Sequence, residues 1–75
     1  SMKFIEFDNG IVNTKYIGKI VPIKGINSYN GKYGITLILD GFENMTEWFD
    51  GETERNLRFT EIKNTILWLE FLCTM

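Results

Sequence analysis

Met45-Thr46-Glu47-Trp48-Phe49-Asp50-Gly51-Glu52-Thr53-Glu54-Arg55-Asn56-Leu57-Arg58-Phe59 is where the periodicity of this chain changes. Up to Phe49 the apolar residues favour strands. From Asp50 onward they return every three or four positions, at Phe59, Ile62, Ile66, Leu69 and Cys73. Alternation marks a half-buried strand, and the longer spacing marks one face of a helix. Strands therefore precede this point and one helix follows it, over roughly residues 52–73. Asp50 reads as the N-cap, because a short carboxylate can accept from the first free amides. Glu52 and Glu54 fall at the positive end of the helix dipole, and Glu54 stands four residues before Arg58, a favourable pairing.

Working back from there, Tyr33-Gly34-Ile35-Thr36-Leu37-Ile38-Leu39 is the strongest strand, with Tyr33, Ile35, Leu37 and Leu39 on one face. Asp40-Gly41 then reverses the chain towards Met45–Phe49, whose inward face the pattern leaves open between Trp48 and Phe49. Gly25 to Gly34 reads as a hairpin connection with a tight turn at Asn30-Gly31. Lys19-Ile20-Val21-Pro22-Ile23 is a strand confined to an edge or a bulge, since proline gives no ladder donor. Lys3–Phe7 and Ile11-Val12 flank Asn9-Gly10, a strong short hairpin signal because both residues tolerate positive φ. Asn13-Thr14-Lys15-Tyr16 offers a side-chain-capped turn anchored by Ile17. The expected fold is α+β: a curved, partly barrel-like antiparallel sheet of four or five short strands, followed by one C-terminal helix packed across it. It forms a single domain over residues 2–75, and Ser1 before Met2 reads as a remnant of expression.

Composition removes several chemistries. The chain has 75 residues, no histidine and one cysteine, Cys73. Histidine general bases, histidine-ligated metals and a disulfide framework are therefore absent from a single chain. No cofactor is implied. No apolar run reaches the roughly 20 residues of a membrane span, and no secretory leader precedes the first strand. A reducing cytoplasm and no membrane partner are expected. Net charge is −2, unevenly placed. Residues 1–39 carry five lysines against Glu6 and Asp8, whereas residues 40–75 carry eight acids against Arg55, Arg58 and Lys63. Such a split serves solubility and attraction between the two halves, or steers a charged partner.

The helix carries the most informative surplus. Ile66-Leu67-Trp68-Leu69-Glu70-Phe71-Leu72-Cys73 is apolar nearly all round. A packing helix in a small domain needs only one apolar stripe. Leu57, Asn64, Trp68, Phe71 and Leu72 are therefore expected to form a contact with a second copy, with Asn64 fixing its register. Burial within the same subunit is the alternative use of these residues. A chain this short buries only about 60% of its unfolded surface. Oligomerisation is a common remedy.

A second surface is expected at Tyr29, Lys32, Glu43, Glu47, Trp48 and Glu52, where the 25–34 loop and an acidic rim meet a protein partner. Tyr16, Tyr29 and Tyr33, interleaved with Lys15, Lys19, Lys24 and Lys32, alternatively offer stacking and phosphate neutralisation to a nucleic acid or a small phosphorylated ligand. Against that stand an acidic pI near 5.0 and the lack of arginine in this half. Glycines with Lys32 offer backbone N–H groups to a phosphate, but the spacing is not that of a P-loop. The carboxylates Glu43, Glu47, Asp50, Glu52 and Glu54 are dense, yet their places at a hairpin and a helix start have structural reasons. Asp50-Gly51-Glu52 lacks calcium-loop spacing. No base is at hand to activate Cys73.

The run Asn9-Gly10-Ile11-Val12-Asn13-Thr14-Lys15-Tyr16-Ile17-Gly18-Lys19-Ile20 resembles the N-terminal part of small bacterial FlbD/SwrD-type motility proteins. The resemblance covers roughly residues 3–24 and implies a strand, an Asn-Gly turn, a short return strand, an Asn-x-x-x-Ile turn and a terminal helix. Thr46-Glu47-Trp48-Phe49 and the bulky Trp68/Phe71 tail depart from the pattern, so no functional residue and no motility role is transferred. Taken together, the residues point to a non-catalytic protein-binding module, an adaptor or an inhibitor, acting as a homodimer. Small size, acidity and lack of catalytic groups also suit an anti-defence protein of a phage or prophage.

Overall fold

The computed structural model describes the backbone of residues 4–74 and the side chains of residues 4–68. It contains β1 (Phe4–Phe7), β2 (Gly10–Asn13), a 3-10 turn at Thr14–Tyr16, β3 (Ile17–Lys24), a second at Asn27–Tyr29, β4 (Tyr33–Leu39), β5 (Met45–Phe49) and α1 (Glu52–Thr74). The class is α+β, with antiparallel strands first and the helix last. The strands do not form one curved sheet or a closed barrel. They divide into a β1–β2 hairpin and a three-stranded sheet of order β3-β4-β5. Asn13 to Tyr16 explains the break. The Asn13 side chain accepts from the Lys15 amide, and the 3-10 turn redirects the chain before β3 begins.

The first hairpin turns one residue earlier than Asn9-Gly10. Phe7 pairs with Gly10, and Asp8 and Asn9 form the two-residue loop at φ 48° and 63°. Two positive φ values define the turn whose twist suits a hairpin, and Asp and Asn both tolerate them. Gly10 is thus free to open β2.

Hydrogen-bond phase fixes the character of the β3 edge. The Gly25 amide donates to the Lys32 carbonyl, and bonded pairs recur every second residue in an antiparallel ladder. Ile23/Gly34, Val21/Thr36 and Lys19/Ile38 follow in that phase. Pro22 therefore faces outward, where it has no N–H to waste. The expected edge position is observed, and the proline blunts it against strand addition.

The core is Ile5, Phe7 and Val12 from the hairpin, Ile35 and Leu37 from β4, and Ile62 from α1. Phe59 and Ile66 pack against it from the helix, Met45 and Phe49 from β5. Phe49 is thus the inward residue of β5, and Trp48 lies on the opposite face. Helix and hairpin share one side of the three-stranded sheet, and the other side is open. Gly51, not Asp50, is the N-cap: its carbonyl accepts the first helical bond, from the Arg55 amide.

Two arginines join these layers. Arg55 is the buried charged residue of the described chain, and its Nη1 donates to the carbonyls of Ile23 and Gly34 at 2.9 and 3.0 Å. Arg58 donates through Nε to Glu47 at 3.0 Å and through Nη2 to the Glu6 carbonyl at 2.6 Å, and its Nη1 pairs with Glu61. Glu47 also accepts from the Asp8 amide at 2.9 Å. Helix, sheet and hairpin thus meet at one guanidinium–carboxylate pair. This replaces the expected Glu54–Arg58 pairing. Hydrogen bonding to Glu47, then to Glu61, against some desolvation, raises the Arg58 pKa further above its ordinary value.

Candidate binding surfaces

The helix is longer than its bed. Twenty-three residues span about 34 Å, while the eight-residue β3 spans about 27 Å. The molecule measures 43 × 26 × 18 Å with a radius of gyration of 13.0 Å. A compact chain of this length has about 11 Å. Ile66 is the last described side chain on the core. On its outward faces and towards its far end, apolar residues meet solvent: Leu57 is 69% exposed, Leu67 61% and Trp68 58%. With Ile62 facing the sheet, a turn of about 100° per residue puts Leu57, Asn64 and Trp68 about 120–160° away on one flank. Leu67 falls about as far away on the other flank. The expected contacts at Phe71 and Leu72 lie outside the described side chains.

The residues expected at a partner-binding loop separate into two groups. Tyr29, Trp48 and Lys32 come together on the open side of the sheet. The Tyr29 and Trp48 rings stack, with centroids 4.4 Å apart and planes 13° apart. The indole lies across Gly34, where a Cβ would stand 2.9 Å from Trp48 Cζ3 and from Ile23 Cγ1. Glycine is what lets the ring cross the strand. Lys32 Nζ meets Asp50 Oδ1 at 2.5 Å in the next row. The 25–34 loop is folded by its own backbone: Asn30-Gly31 forms a turn closed by the Lys32 amide on Tyr29, with Gly31 at φ 87°.

The acidic rim, by contrast, is dispersed. Glu43 sits in the β4–β5 connection beside Phe42, Glu47 is held inside by Arg58, and Glu52 is 3.9 Å from Arg55 at the helix start. Glu47 and Glu52 serve different arginines, and Glu43 lies apart from both. The tyrosines are divided as well. Tyr33 lies on the helix side, under Arg55 at 5.7 Å, while Tyr29 is on the open side and Tyr16 packs edge-on against Phe42. They make no shared stacking platform. The two arginine staples were not anticipated. Arg55 was legible in principle, since 55, 59, 62 and 66 share one helical stripe.

A hydrogen bond from Lys32, reinforced by its charge, lowers the Asp50 pKa below the usual carboxylate range. A depressed folded pKa means that the pair contributes above that range and is lost as pH falls through the depressed value. Lys32→Gln is expected to return the Asp50 carboxyl titration, followed by carbon NMR, to the ordinary range. An unchanged midpoint would show that Lys32 is not its cause.

A polar cleft of about 380 Å³ lies between hairpin and helix, lined by Glu6, Asn9, Glu47 and Arg58. Its cation is already engaged by two carboxylates and a carbonyl, which leaves no open charge for a ligand. Among the described residues no group of acids or cysteines is gathered as for a metal ion, and no helix is long and apolar enough to cross a membrane. No family model, no curated protein and no solved structure matches this chain.

Proposed function

We propose that the chain is a non-catalytic protein-binding module whose first partner is a second copy of itself. The observation that carries this is the exposed flank of α1 at Leu57, Asn64 and Trp68. The flank is self-complementary. A two-fold axis crossing the helix between Ile62 and Lys63 sets Leu57 of each copy against Trp68 of the other. The same axis sets Asn64 against Glu61, where an amide can donate to a carboxylate. Symmetric dimers need this kind of reciprocal pairing. Each large side chain removed from water contributes up to about 2–3 kcal/mol, less here because these are already partly covered. Association itself costs about 4–15 kcal/mol. The balance describes a reversible dimer, suited to an adaptor or an inhibitor that exchanges partners.

Sedimentation equilibrium tests it. The wild-type mass should rise from 8.8 kDa towards twice that value as concentration increases. Trp68→Ala should stay at 8.8 kDa with an unchanged circular dichroism spectrum, because the indole is more than half exposed. A wild type that remains monomeric at millimolar concentration ends the dimer reading.

A further inference from the structure

We infer that Asn30-Gly31 is a self-modifying site, at which the folded chain converts its own asparagine to aspartate and isoaspartate, while the fold protects the second such pair, Asn9-Gly10. Glycine follows asparagine only at these two positions. With no side chain on the next residue, the following amide nitrogen can reach the asparagine Cγ. That nitrogen loses its proton to hydroxide and attacks Cγ. A C–N bond forms, and the side-chain nitrogen takes up a proton and leaves as ammonia. Water then opens the cyclic imide at one carbonyl or the other, giving aspartate or isoaspartate.

The structure treats the two pairs differently. Asp8 and Asn9 are the loop of a two-residue hairpin, and Phe7 pairs with Gly10. The closing residues of such a hairpin exchange both backbone bonds, so the Gly10 amide is held on the Phe7 carbonyl. Attack at Asn9 requires that pair to open. Asn30 is exposed, at φ −57° and ψ 132°, and Gly31 follows at φ 87°, the angles of a type II turn. The Lys32 amide closes that turn on the Tyr29 carbonyl, and the Gly31 amide between them donates to no described group. No atom lies within 4 Å of where a Gly31 Cβ would stand. At ψ 132° the nitrogen points away from the Asn30 side chain. One sense of rotation of the Asn30–Gly31 peptide, from type II to type I, carries it past Cγ. The closing bond stays in place, because both turn types share it. The product sets a new carboxylate, and in isoaspartate an extra main-chain carbon, between Tyr29 and Lys32. Those two residues build the stack on Trp48 and the pair with Asp50. The inference does not depend on the dimer.

The test ages the full chain in mildly alkaline buffer and follows it by tryptic peptide mapping. Cleavage after lysine places the sites in separate peptides, 4–15 and 25–32, and fragment masses separate Asn30 from Asn27 and Asn9 from Asn13. Peptide 25–32 should gain the mass of an amide-to-acid exchange at Asn30, as two chromatographic products. It should do so on the order of tenfold faster than peptide 4–15 at Asn9, which two hydrogen bonds guard. In urea-unfolded protein the two rates should converge. Gly31→Ala, at an open position away from the core, should suppress the change at residue 30, because its methyl group crowds the attacking nitrogen. Conversion at Asn9 as fast as at Asn30 in the folded protein overturns the inference. So does an equal preference for Asn30 in urea, which assigns it to sequence and not to the fold, or an undiminished rate in Gly31→Ala.

Discussion

Arg55→Met is expected to lower the unfolding midpoint by about 10–20 °C, the equivalent of roughly 2–3 kcal/mol in a domain of this size. The guanidinium is 8% exposed and donates to two strand carbonyls, yet its nearest carboxylate, Glu52, is 3.9 Å away. It is a cation held chiefly by neutral acceptors, the two carbonyls and Asn56 Oδ1 at 2.9 Å, with Glu52 at the limit of ion-pairing distance. Hydrogen bonds from a charged group are worth more than neutral ones. Here they also attach the first turn of α1 to β3 and β4 together. Methionine fills much of the same volume but donates nothing. Both carbonyls keep their ladder partners, which holds the loss to a few kcal/mol. The whole domain has only about 4–11 kcal/mol to lose. Arg55→Lys should recover part of the difference, because one ammonium cannot match the fork of a guanidinium. Urea titration of the three proteins checks the order. A methionine variant within about 0.5 kcal/mol of wild type, the range of an ordinary surface change, would mean that the two carbonyls did not need the arginine.

Gly25→Ala is the second severe change. A Cβ at this position would stand 1.8 Å from the Tyr29 carbonyl oxygen and 2.7 Å from its carbon. Gly25 is not in the left-handed region, so the demand is for space and not for conformational freedom. The obstruction is backbone, which cannot rotate aside as a side chain can. Relief requires the 25–32 loop to move by more than an ångström. That movement breaks the Gly25 amide bond to Lys32 and displaces Tyr29 from Trp48. Overpacking alone costs about 1–3 kcal/mol, and the lost hydrogen bond adds about 1 kcal/mol. The expected result is a domain destabilised by about 3 kcal/mol, with tryptophan fluorescence changed even in the folded state. Gly31→Ala, where space is open but φ is 87°, should cost less, about 1 kcal/mol. If the two alanines cost the same, steric exclusion by Tyr29 is not what selects glycine at position 25.

Elements governed by local pattern could be read directly. Tyr33–Leu39, Met45–Phe49 and the helix start at Glu52 fall where alternation and its change of period put them. The stripe of Phe59, Ile62 and Ile66 on the core is equally local information. What escaped the sequence depends on distant neighbours. Arg55 and Arg58 look like solvated helix charges until strand carbonyls and Glu47 are brought beside them. The face of Trp48 could not be chosen because the strand alternates bulky residues on both sides. It is settled by Gly34, one strand away, and by Tyr29 from the loop. The division into two sheets falls at the 3-10 turn of Thr14–Tyr16, which the Asn13 side chain caps. Of the candidate surfaces, the helix surplus was visible from composition.

Each strand pairs only with its immediate neighbour along the chain, and the helix closes over the sheet last. No segment has to thread past another. Strand pairing therefore needs only short loop closures, whereas the helix closes the long ones, joining Arg58 to Glu6 and Arg55 to Ile23. The strands can pair as soon as they are made, but the greasy side of the sheet waits in water for the last element to arrive, so early arrest of synthesis would leave it bare.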